Sequence, residues 1–256
     1  MTINNADNNK FILNVIGVPI GNIDDLSPRA YNTFKNSNII LCEDTRMAKK
    51  LLMLVKIDIA QIKFIKYDNF NEKEISPKII DLIRDKNNIV SLISDAGMPC
   101  ISDPGFSIIS KCKQYNDIFI NIISGPSAFL HALIKSNHNS KFTFLGFIPD
   151  KKIKRQNYLS SLTPFTYICY VSPHKLISVL EDFNKIFSSD ITLYLIKEMT
   201  KIFETSWEGT PKELLEKFLE YETIKGEYTL VFTINPKKEI RIRKINKYSS
   251  FSKVDK

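Results

Sequence analysis

Glycine is scarce in this sequence. The 256-residue chain contains eight glycines, which is less than half of the usual share of roughly 7%. Because glycine adopts backbone conformations that a Cβ atom forbids, a chain with so few is expected to keep them where no other residue fits. The positions of the glycines are therefore the first guide to special backbone geometry.

Paired metal-binding and disulfide motifs are also absent. The four cysteines show no Cys-x-x-Cys spacing, and the three histidines lie far from any pair of cysteines. We therefore expect no metal site, no disulfide framework and buried free thiols in a reducing compartment. No apolar run reaches the ~18 residues of a membrane-spanning helix, and residues 1–10 contain no apolar signal-peptide core. These absences predict a cytoplasmic protein without a membrane partner.

Positive charge is unevenly distributed along the chain. Residues 1–125 have a net charge of +1, and residues 126–256 have +7. Much of the surplus forms two runs: Lys151, Lys152, Lys154 and Arg155, and a basic tail with Lys237, Lys238, Arg241, Arg243, Lys244, Lys247, Lys253 and Lys256. Clustered positive charge is typical of surfaces that bind nucleic acid. A coding bias is the alternative, because 30 of the 36 basic residues are lysine.

Apolar runs alternate with helical patterns through the first half of the chain. Strands are expected at residues 11–18, 39–42, 62–65, 89–93 and 118–123. Helices are expected from the Ser27-Pro28 cap, over 46–55, from a second Ser76-Pro77 cap to 84, and over 106–113. This alternation is typical of an α/β protein with a mostly parallel sheet.

The second half has a different pattern. Strands are expected at residues 142–147, 165–171, 191–196 and 228–234, with an edge strand at 239–245. Helices are expected at 127–135, in the basic stretch after 147, at 176–187 and at 211–219, and 197–204 also has a helical pattern. We place the domain boundary near Gly125, which gives an N-terminal α/β domain (11–125), a C-terminal α/β domain (126–236) and the basic tail (237–256).

Five glycines lie at or beside the carboxyl ends of predicted strands: Gly17, Gly21, Gly97, Gly105 and Gly125. Open α/β sheets bind ligands beyond these strand ends, so the glycines indicate a ligand site at one edge of the first domain. Neither Gly-x-Gly-x-x-Gly nor a P-loop motif is present, which argues against a standard dinucleotide or nucleoside triphosphate loop. Simple tight turns are the alternative interpretation.

Charged residues follow the second and fourth predicted strands. Glu43, Asp44 and Arg46 come directly after the second strand, and Asp95 and Asp103 flank the loop that contains Gly97. Because these are carboxyl-end positions, we expect chemistry there. Solvated surface charge is the alternative.

Short motifs extend this pattern along the chain in a fixed order. They are Val18-Pro19-Ile20-Gly21-Asn22, Glu43-Asp44-Thr45-Arg46, the loop from Ser94 to Gly105, Gly125-Pro126-Ser127-Ala128, Gly146-Phe147-Ile148-Pro149, Ser172-Pro173-His174-Lys175-Leu176, Lys197-Glu198-Met199-Thr200-Lys201 and Lys225-Gly226-Glu227. Over about residues 11–235 the chain resembles the small-subunit ribosomal RNA 2'-O-methyltransferases of the tetrapyrrole methylase superfamily.

The resemblance implies a two-domain α/β fold of the tetrapyrrole methylase type, with S-adenosylmethionine in a cleft between the domains. It implies methylation of the ribose 2'-oxygen of a cytidine in the decoding region of 16S ribosomal RNA, within the small subunit, by a homodimer. By this similarity the cofactor pocket is lined by Pro19, Asp95, Gly97, Ile101, Ser102, Gly125, Ser127, Ala128, Met199 and Thr200.

A ribose hydroxyl is a poor nucleophile near neutral pH, so a neighbouring group is expected to accept its proton. We expect Asp44 or Glu43 to be this base and Arg46 to orient the substrate or hold phosphate. Glu198 and Lys201 are further catalytic candidates from the second domain. Lys151, Lys152, Lys154, Arg155 and the basic tail are the expected phosphate contacts.

Three positions depart from the family's usual pattern. Phe70 precedes Asn71-Glu72 where the family usually has histidine, Val171 follows Tyr170 where it usually has glutamate, and Met98 replaces a threonine. The small C-terminal helical domain of some members is replaced by the basic tail. A catalytically impaired ribosome-binding homologue and a small-molecule methyltransferase that acts on a precorrin-type ring therefore remain alternatives.

Overall fold

The computed structural model describes residues 11–236, which form two five-stranded sheets with helices packed against them. The expected edge strand at 239–245 and the basic tail lie outside these residues. None of the helices within 11–236 has the length and hydropathy needed to cross a bilayer.

The first sheet contains β1 (Phe11–Ile16), β2 (Ile39–Cys42), β3 (Lys63–Lys66), β4 (Val90–Leu92) and β5 (Ile118–Ile123). Its order is β3-β2-β4-β1-β5, and every neighbouring pair is parallel. The central strands are buried on nearly every residue because helices cover both faces. The prediction of a parallel sheet is confirmed.

Helices α1 (Pro28–Asn36), α2 (Thr45–Leu54), α3 (Glu72–Ile83) and α4 (Phe106–Cys112) connect these strands. The Ser27 hydroxyl caps α1 by accepting a hydrogen bond from the Ala30 backbone N–H, as the Ser27-Pro28 pair predicts. Asp44 caps α2 by accepting a 2.8 Å hydrogen bond from the Arg46 backbone N–H.

The start predicted for α3 at Ser76-Pro77 is wrong. The helix begins at Glu72, and Pro77 lies inside it. The Asp68 carboxylate accepts hydrogen bonds from the backbone N–H groups of Phe70 and Asn71, and this turn starts the helix more than one turn early. Ser76 instead lies in the core, where its hydroxyl contacts the Tyr67 hydroxyl at 2.9 Å.

The second sheet contains β6 (Phe142–Phe147), β7 (Thr166–Val171), β8 (Leu193–Lys197), β9 (Thr205–Gly209) and β10 (Tyr228–Thr233). Its order is β6-β7-β10-β8-β9, in which β6 and β7 are parallel and the other pairs are antiparallel. Helices α5 (Ala128–Ser136), α6 (Lys152–Ser160), α7 (Leu176–Phe187) and α8 (Pro211–Leu219) complete this half.

The helical pattern predicted for residues 197–204 is wrong. Lys197 is the last residue of β8, and residues 198–204 form a turn that leads into β9, a strand absent from the prediction. Glu198 and Thr200 have positive φ angles of 54° and 64°, which an α-helix excludes.

The two sheets meet through the turn after β1 and the turn after β8. The backbone N–H of Asn22 donates a 3.0 Å hydrogen bond to the Thr200 hydroxyl. A Cβ atom on Gly21 would lie 2.5 Å from Lys201 Cγ and 2.7 Å from Thr200 Oγ1, so only glycine permits this approach. Ile20 and Met199 belong to one buried apolar cluster with residues of α5 and β10.

Candidate functional site

A cavity of about 330 Å³ opens between the two sheets, beyond the carboxyl ends of the first sheet's strands. Its lining is mainly apolar, with a few polar groups, which is typical of small-molecule sites. The first half of the chain contributes Ile20, Ala96, Gly97, Met98, Ile101, Ser102 and Asp103, and Ser127 and Ala128 lie at the start of α5. The second sheet contributes Phe147, Tyr170, Val171, Ser172, Pro173, Met199, Gly226, Glu227 and Tyr228.

Six of the ten expected cofactor residues line this cavity: Gly97, Ile101, Ser102, Ser127, Ala128 and Met199. Gly125 and Thr200 instead line a shallower neighbouring pocket with Asp25 and His131. Pro19 follows Val18, whose backbone pairs with that of Gly97, and Asp95 accepts a 3.3 Å hydrogen bond from the Asp44 backbone N–H. Neither Pro19 nor Asp95 lines the cavity.

Several lining residues were not predicted. Tyr170 to Pro173 and Gly226 to Tyr228 lie near strand ends of the second sheet, where Tyr228 of β10 pairs with Val171 of β7. Two of the motifs that carry the family resemblance, Ser172 to Leu176 and Lys225 to Glu227, contain part of this set and were the available signal.

Two glycines allow the loops beneath the cavity to touch. A Cβ atom on Gly125 would lie 2.6 Å from the carbonyl carbon of Gly17, and one on Gly17 would lie 2.5 Å from the backbone nitrogen of Gly125. Because no real Cβ tolerates such contacts with backbone, both positions require glycine.

Left-handed backbone is concentrated at this site. Of the seven non-glycine residues with positive φ in residues 11–236, four lie in the two loops that flank the cavity: Cys100, Ser102, Glu198 and Thr200. Such conformations cost free energy and persist only where the surrounding structure enforces them. Their clustering beside one cavity is typical of a functional site.

An acidic cluster lies at the ends of β2 and β4, and of its members Glu43, Asp95 and Asp103 only Asp103 lines the cavity. Burial, together with the charges of Asp103 and Asp95, raises the pKa of the Glu43 carboxyl to about 7. Burial and the charge of Asp95 raise the pKa of Asp103, which lines the cavity, to about 6. A carboxyl group that titrates near neutral pH can accept and release a proton during turnover.

Asp44 lies in a different environment. Its carboxylate forms hydrogen bonds with the Arg46 side chain at 3.1 and 2.6 Å and with the Arg46 backbone N–H. These bonds lower the pKa of Asp44 to about 2. A group with this pKa is a weak proton acceptor, so the geometry favours Glu43 over Asp44 as the base and gives Asp44 the task of holding Arg46.

Glu198 and Lys201 form an ion pair that braces the turn after β8. Lys201 Nζ lies 3.2 Å from Glu198 Oε1 and 2.8 Å from Glu227 Oε2, and the Glu198 carboxylate accepts a 2.9 Å hydrogen bond from the Glu227 backbone N–H. Burial lowers the pKa of Lys201, but its hydrogen bonds with Glu227 and Glu198 outweigh burial and leave the pKa raised. Lys201 is therefore protonated and unsuited to act as a base.

The expectation that Arg155 contacts RNA phosphate is wrong. Its side chain is 2% exposed, and its guanidinium donates hydrogen bonds to the Asp182 carboxylate at 2.7 Å, to the Asp150 carbonyl at 2.9 Å and to the Ser178 hydroxyl at 3.1 Å. Arg155 thus joins α6 to α7, and none of its charge faces solvent.

The lysines of the same run do face solvent. Lys151, Lys152 and Lys154 are exposed at the N-terminal end of α6, and Lys152 Nζ lies 3.3 Å from a Glu181 carboxylate oxygen. They remain available to a phosphate backbone.

Known proteins resemble this chain in sequence. The model of the tetrapyrrole (corrin/porphyrin) methylase family matches residues 13–215. A ribosomal RNA small subunit methyltransferase I of Mycoplasmopsis pulmonis is 42% identical over 221 residues, covering 86% of this chain and 96% of that protein. Another, of Mesomycoplasma conjunctivae, is 40% identical over 246 residues and covers 94% and 98% of the two chains.

Solved structures show the same fold at lower identity. The uroporphyrin-III C-methyltransferase from Thermus thermophilus, complexed with S-adenyl homocysteine, matches with a TM-score of 0.57 at 14% identity, over 86% of this chain and 96% of that one. At this low identity the match shows a common fold. The family match and the two relatives above show similarity of sequence. The chain therefore belongs to the tetrapyrrole methylase family and, within it, groups with the ribosomal RNA small subunit methyltransferases I.

Proposed function

We propose that this protein is an S-adenosylmethionine-dependent enzyme that methylates the ribose 2'-oxygen of a cytidine in the decoding region of 16S ribosomal RNA, within the small subunit. The observation that carries the proposal is the cavity between the two sheets, whose lining includes the Asp103 carboxyl group with a pKa of about 6. The relatives named ribosomal RNA small subunit methyltransferase I support the choice of substrate.

The residues of the cavity fit S-adenosylmethionine. Ile20, Met98, Ile101 and Met199 offer apolar contacts, and the carboxyl groups of Asp103 and Glu227 complement a ligand with positive charge. A related fold complexed with S-adenyl homocysteine supports this choice. Further contacts with the ligand would come from Gly97, Ser102, Ser127 and Ala128. Support for these contacts from outside the cavity would come from Pro19, Asp95, Gly125 and Thr200.

When bound, S-adenosylmethionine supplies a methyl group on a positively charged sulfur, which is already activated for transfer. The chain's own residues then have to position the ribose hydroxyl and accept its proton. Glu43 is the proposed acceptor because its pKa of about 7 lies close to the working pH. Burial and the charges of Asp103 and Asp95 maintain that pKa, and Arg46, whose side chain is 89% exposed, is placed to contact a phosphate.

The RNA surface is proposed to include Lys151, Lys152 and Lys154 together with the basic tail. The two sheets with their helices are the proposed domains, divided near Gly125, between β5 and α5. A cytoplasmic homodimer is the assembly that the family resemblance implies.

Nucleoside mass spectrometry tests the proposed reaction. Purified protein is incubated with S-adenosylmethionine and small ribosomal subunits that lack the modification, and the 16S RNA is digested. We expect one new 2'-O-methylcytidine, and an Asp103→Asn, Glu43→Gln double variant serves as the inactive control.

Each other outcome contradicts a different part of the proposal. A methyl group on a base contradicts the 2'-oxygen as the acceptor. No transfer despite measurable S-adenosylmethionine binding favours the impaired ribosome-binding homologue. Methylation of a precorrin-type ring without salt-dependent RNA binding favours the small-molecule enzyme.

A further inference from the structure

Phe70 is the most exposed large apolar side chain within residues 11–236. It is 97% exposed, in the turn between β3 and α3, at the position where the family resemblance leads us to expect histidine. Because Phe70 buries almost no area, it contributes almost nothing to folding through the hydrophobic effect. The ring is therefore free to contact a binding partner without loss of stability.

The turn that presents Phe70 is rigidly held. One oxygen of the Asp68 carboxylate accepts hydrogen bonds from the backbone N–H groups of Phe70 at 2.9 Å and Asn71 at 3.0 Å. The other oxygen pairs with Lys66 Nζ at 2.9 Å, and the Asn71 side chain bonds back to the Asp68 N–H at 2.9 Å and the Lys66 carbonyl at 3.0 Å. A ring on such a preorganised turn loses little entropy when it binds.

The turn lies beside the proposed base. The Tyr67 N–H donates a 2.8 Å hydrogen bond to the Cys42 carbonyl, so the chain leaves β3 level with the point where Glu43 leaves β2. The charge of Asp68 contributes to the raised pKa of Glu43, and the charge of Asp44 contributes to the raised pKa of Lys66. The two loops are thus within electrostatic reach of each other.

Two exposed cations, Arg46 and Lys66, belong to the two loops described above. The side chain of Arg46 is 89% exposed and that of Lys66 is 65% exposed, while the neighbouring carboxylates of Asp44 and Asp68 are each paired with one of them. Exposed aromatic rings and nearby cations together bind unpaired nucleic acid, because bases stack on the ring and phosphates contact the cations.

We propose that Phe70 is a positioning residue that stacks on an unpaired base of the RNA substrate, at or next to the target cytidine, while Arg46 and Lys66 contact the adjoining phosphates. This inference rests on the proposed function. An aromatic ring stacks on a base as an imidazole ring does, so the change from histidine to phenylalanine preserves this contact.

Four variants of one residue test the inference. Phe70→Leu and Phe70→Ala remove the aromatic ring, whereas Phe70→Trp and Phe70→His retain one. We expect the KM for small subunits to rise about tenfold or more in the first two variants and to change less than threefold in the others. The Kd for S-adenosylmethionine and the Tm are expected to stay at the wild-type values. Leu219→Ala, which removes a 62% exposed side chain from α8, is the matched control.

Fluorescence of Phe70→Trp reports stacking without any need for methyl transfer. Trp207 is the single tryptophan of the chain, so the signal of the added indole is obtained by subtraction of the wild-type signal. Small subunits are expected to quench the added signal. An unquenched indole contradicts the stacking inference whether or not the enzyme is active.

The remaining outcomes separate this inference from the proposed function. A wild-type protein that transfers no methyl group contradicts the proposed function, and quenching of the indole then still supports stacking. A Phe70→Leu variant with the wild-type KM overturns the stacking role, and a loss in Phe70→Ala alone would indicate an apolar contact with a ribosomal protein. An equal loss of S-adenosylmethionine affinity would assign Phe70 to the cofactor site instead.

Discussion

The Met98 sulfur accepts a hydrogen bond from the Gly125 backbone N–H, with 3.3 Å between the two atoms. Met98 lines the cavity, and Gly125 begins the loop that leads into α5. The family resemblance leads us to expect threonine at position 98. The thioether of Met98 thus satisfies the Gly125 N–H, which would otherwise need a different hydrogen-bond acceptor.

Met98→Leu is expected to weaken S-adenosylmethionine binding by roughly 5- to 100-fold. Leucine has a similar volume but no acceptor, which leaves the Gly125 N–H without its partner. Isothermal titration calorimetry measures the change in Kd. Met199→Leu is the control, because the sulfur of this second cavity methionine accepts no hydrogen bond from any residue in 11–236. Equal losses in both variants would mean that shape, and not the acceptor, decides affinity.

Glu43→Gln is expected to lower kcat by about 100-fold or more, since general-base catalysis contributes 10²–10⁴-fold. In the wild-type enzyme kcat should rise with pH up to about 7 and then level off, because Glu43 has to lose its proton before it can accept another. Stopped-time assays between pH 5.5 and 9 measure the profile.

Asp44→Asn is the matched control for Glu43. Asparagine keeps a side-chain oxygen for the helix cap, and a carboxyl group with a pKa of about 2 is ionised throughout the assay range. We expect this variant to retain the wild-type pH profile with a modest loss of rate. A larger loss in Asp44→Asn than in Glu43→Gln would reverse the assignment of the base.

The raised pKa of Glu43 also has a consequence for stability. The folded protein binds the Glu43 proton more tightly than the unfolded chain, so stability is lost as the pH rises from about 4.5 to about 7. Glu43→Gln should therefore raise the free energy of unfolding at pH 8, by at most about 3 kcal/mol, and should change it little at pH 4. Urea unfolding at both pH values measures the difference, and equal effects at the two values would contradict the raised pKa.

Arg155→Ala is expected to destabilise the protein by about 3–5 kcal/mol, because it leaves the buried Asp182 carboxylate without its partner. Its RNA binding should keep the wild-type salt dependence. Thermal and urea unfolding measure the loss, and Lys154→Ala is the exposed control from the same helix. A stable Arg155→Ala variant with weaker RNA binding would restore the original expectation.

Features that depend on neighbouring residues could be predicted from the sequence, and features that depend on distant residues could not. The sequence predicts the Ser27 cap because its bond to Ala30 spans only three residues. Ser76 has the same Ser-Pro pattern, but Tyr67 and the Asp68 turn decide its place. The burial of Arg155 depends on Asp182, which lies 27 residues further along the chain. The run of four basic residues does not by itself predict this partner.

Part of the candidate site could likewise be predicted from the sequence, and part could not. The glycine-containing loops of the first sheet could be located because parallel strands bring their carboxyl ends to one edge. Tyr228 lines the cavity because β10 pairs antiparallel with β7 and β8. The local sequence around Tyr228 does not predict this pairing. The ordering of Glu43 over Asp44 depends on burial and on Arg46, so the sequence alone left the two equivalent.

Replacement of Lys151, Lys152 and Lys154 by serine is expected to flatten the salt dependence of small-subunit binding. Each lost phosphate contact lowers the slope of log Kd against log salt by roughly 0.7 to 0.9, so the triple variant should lose roughly 2.1 to 2.7. Binding at 50 to 300 mM KCl measures the slope. A triple serine variant of the exposed Lys35, Lys113 and Lys212 removes the same charge from other helical regions and should leave the slope unchanged. Equal slopes in the two variants would mean that overall charge, and not contact by the α6 lysines, governs binding.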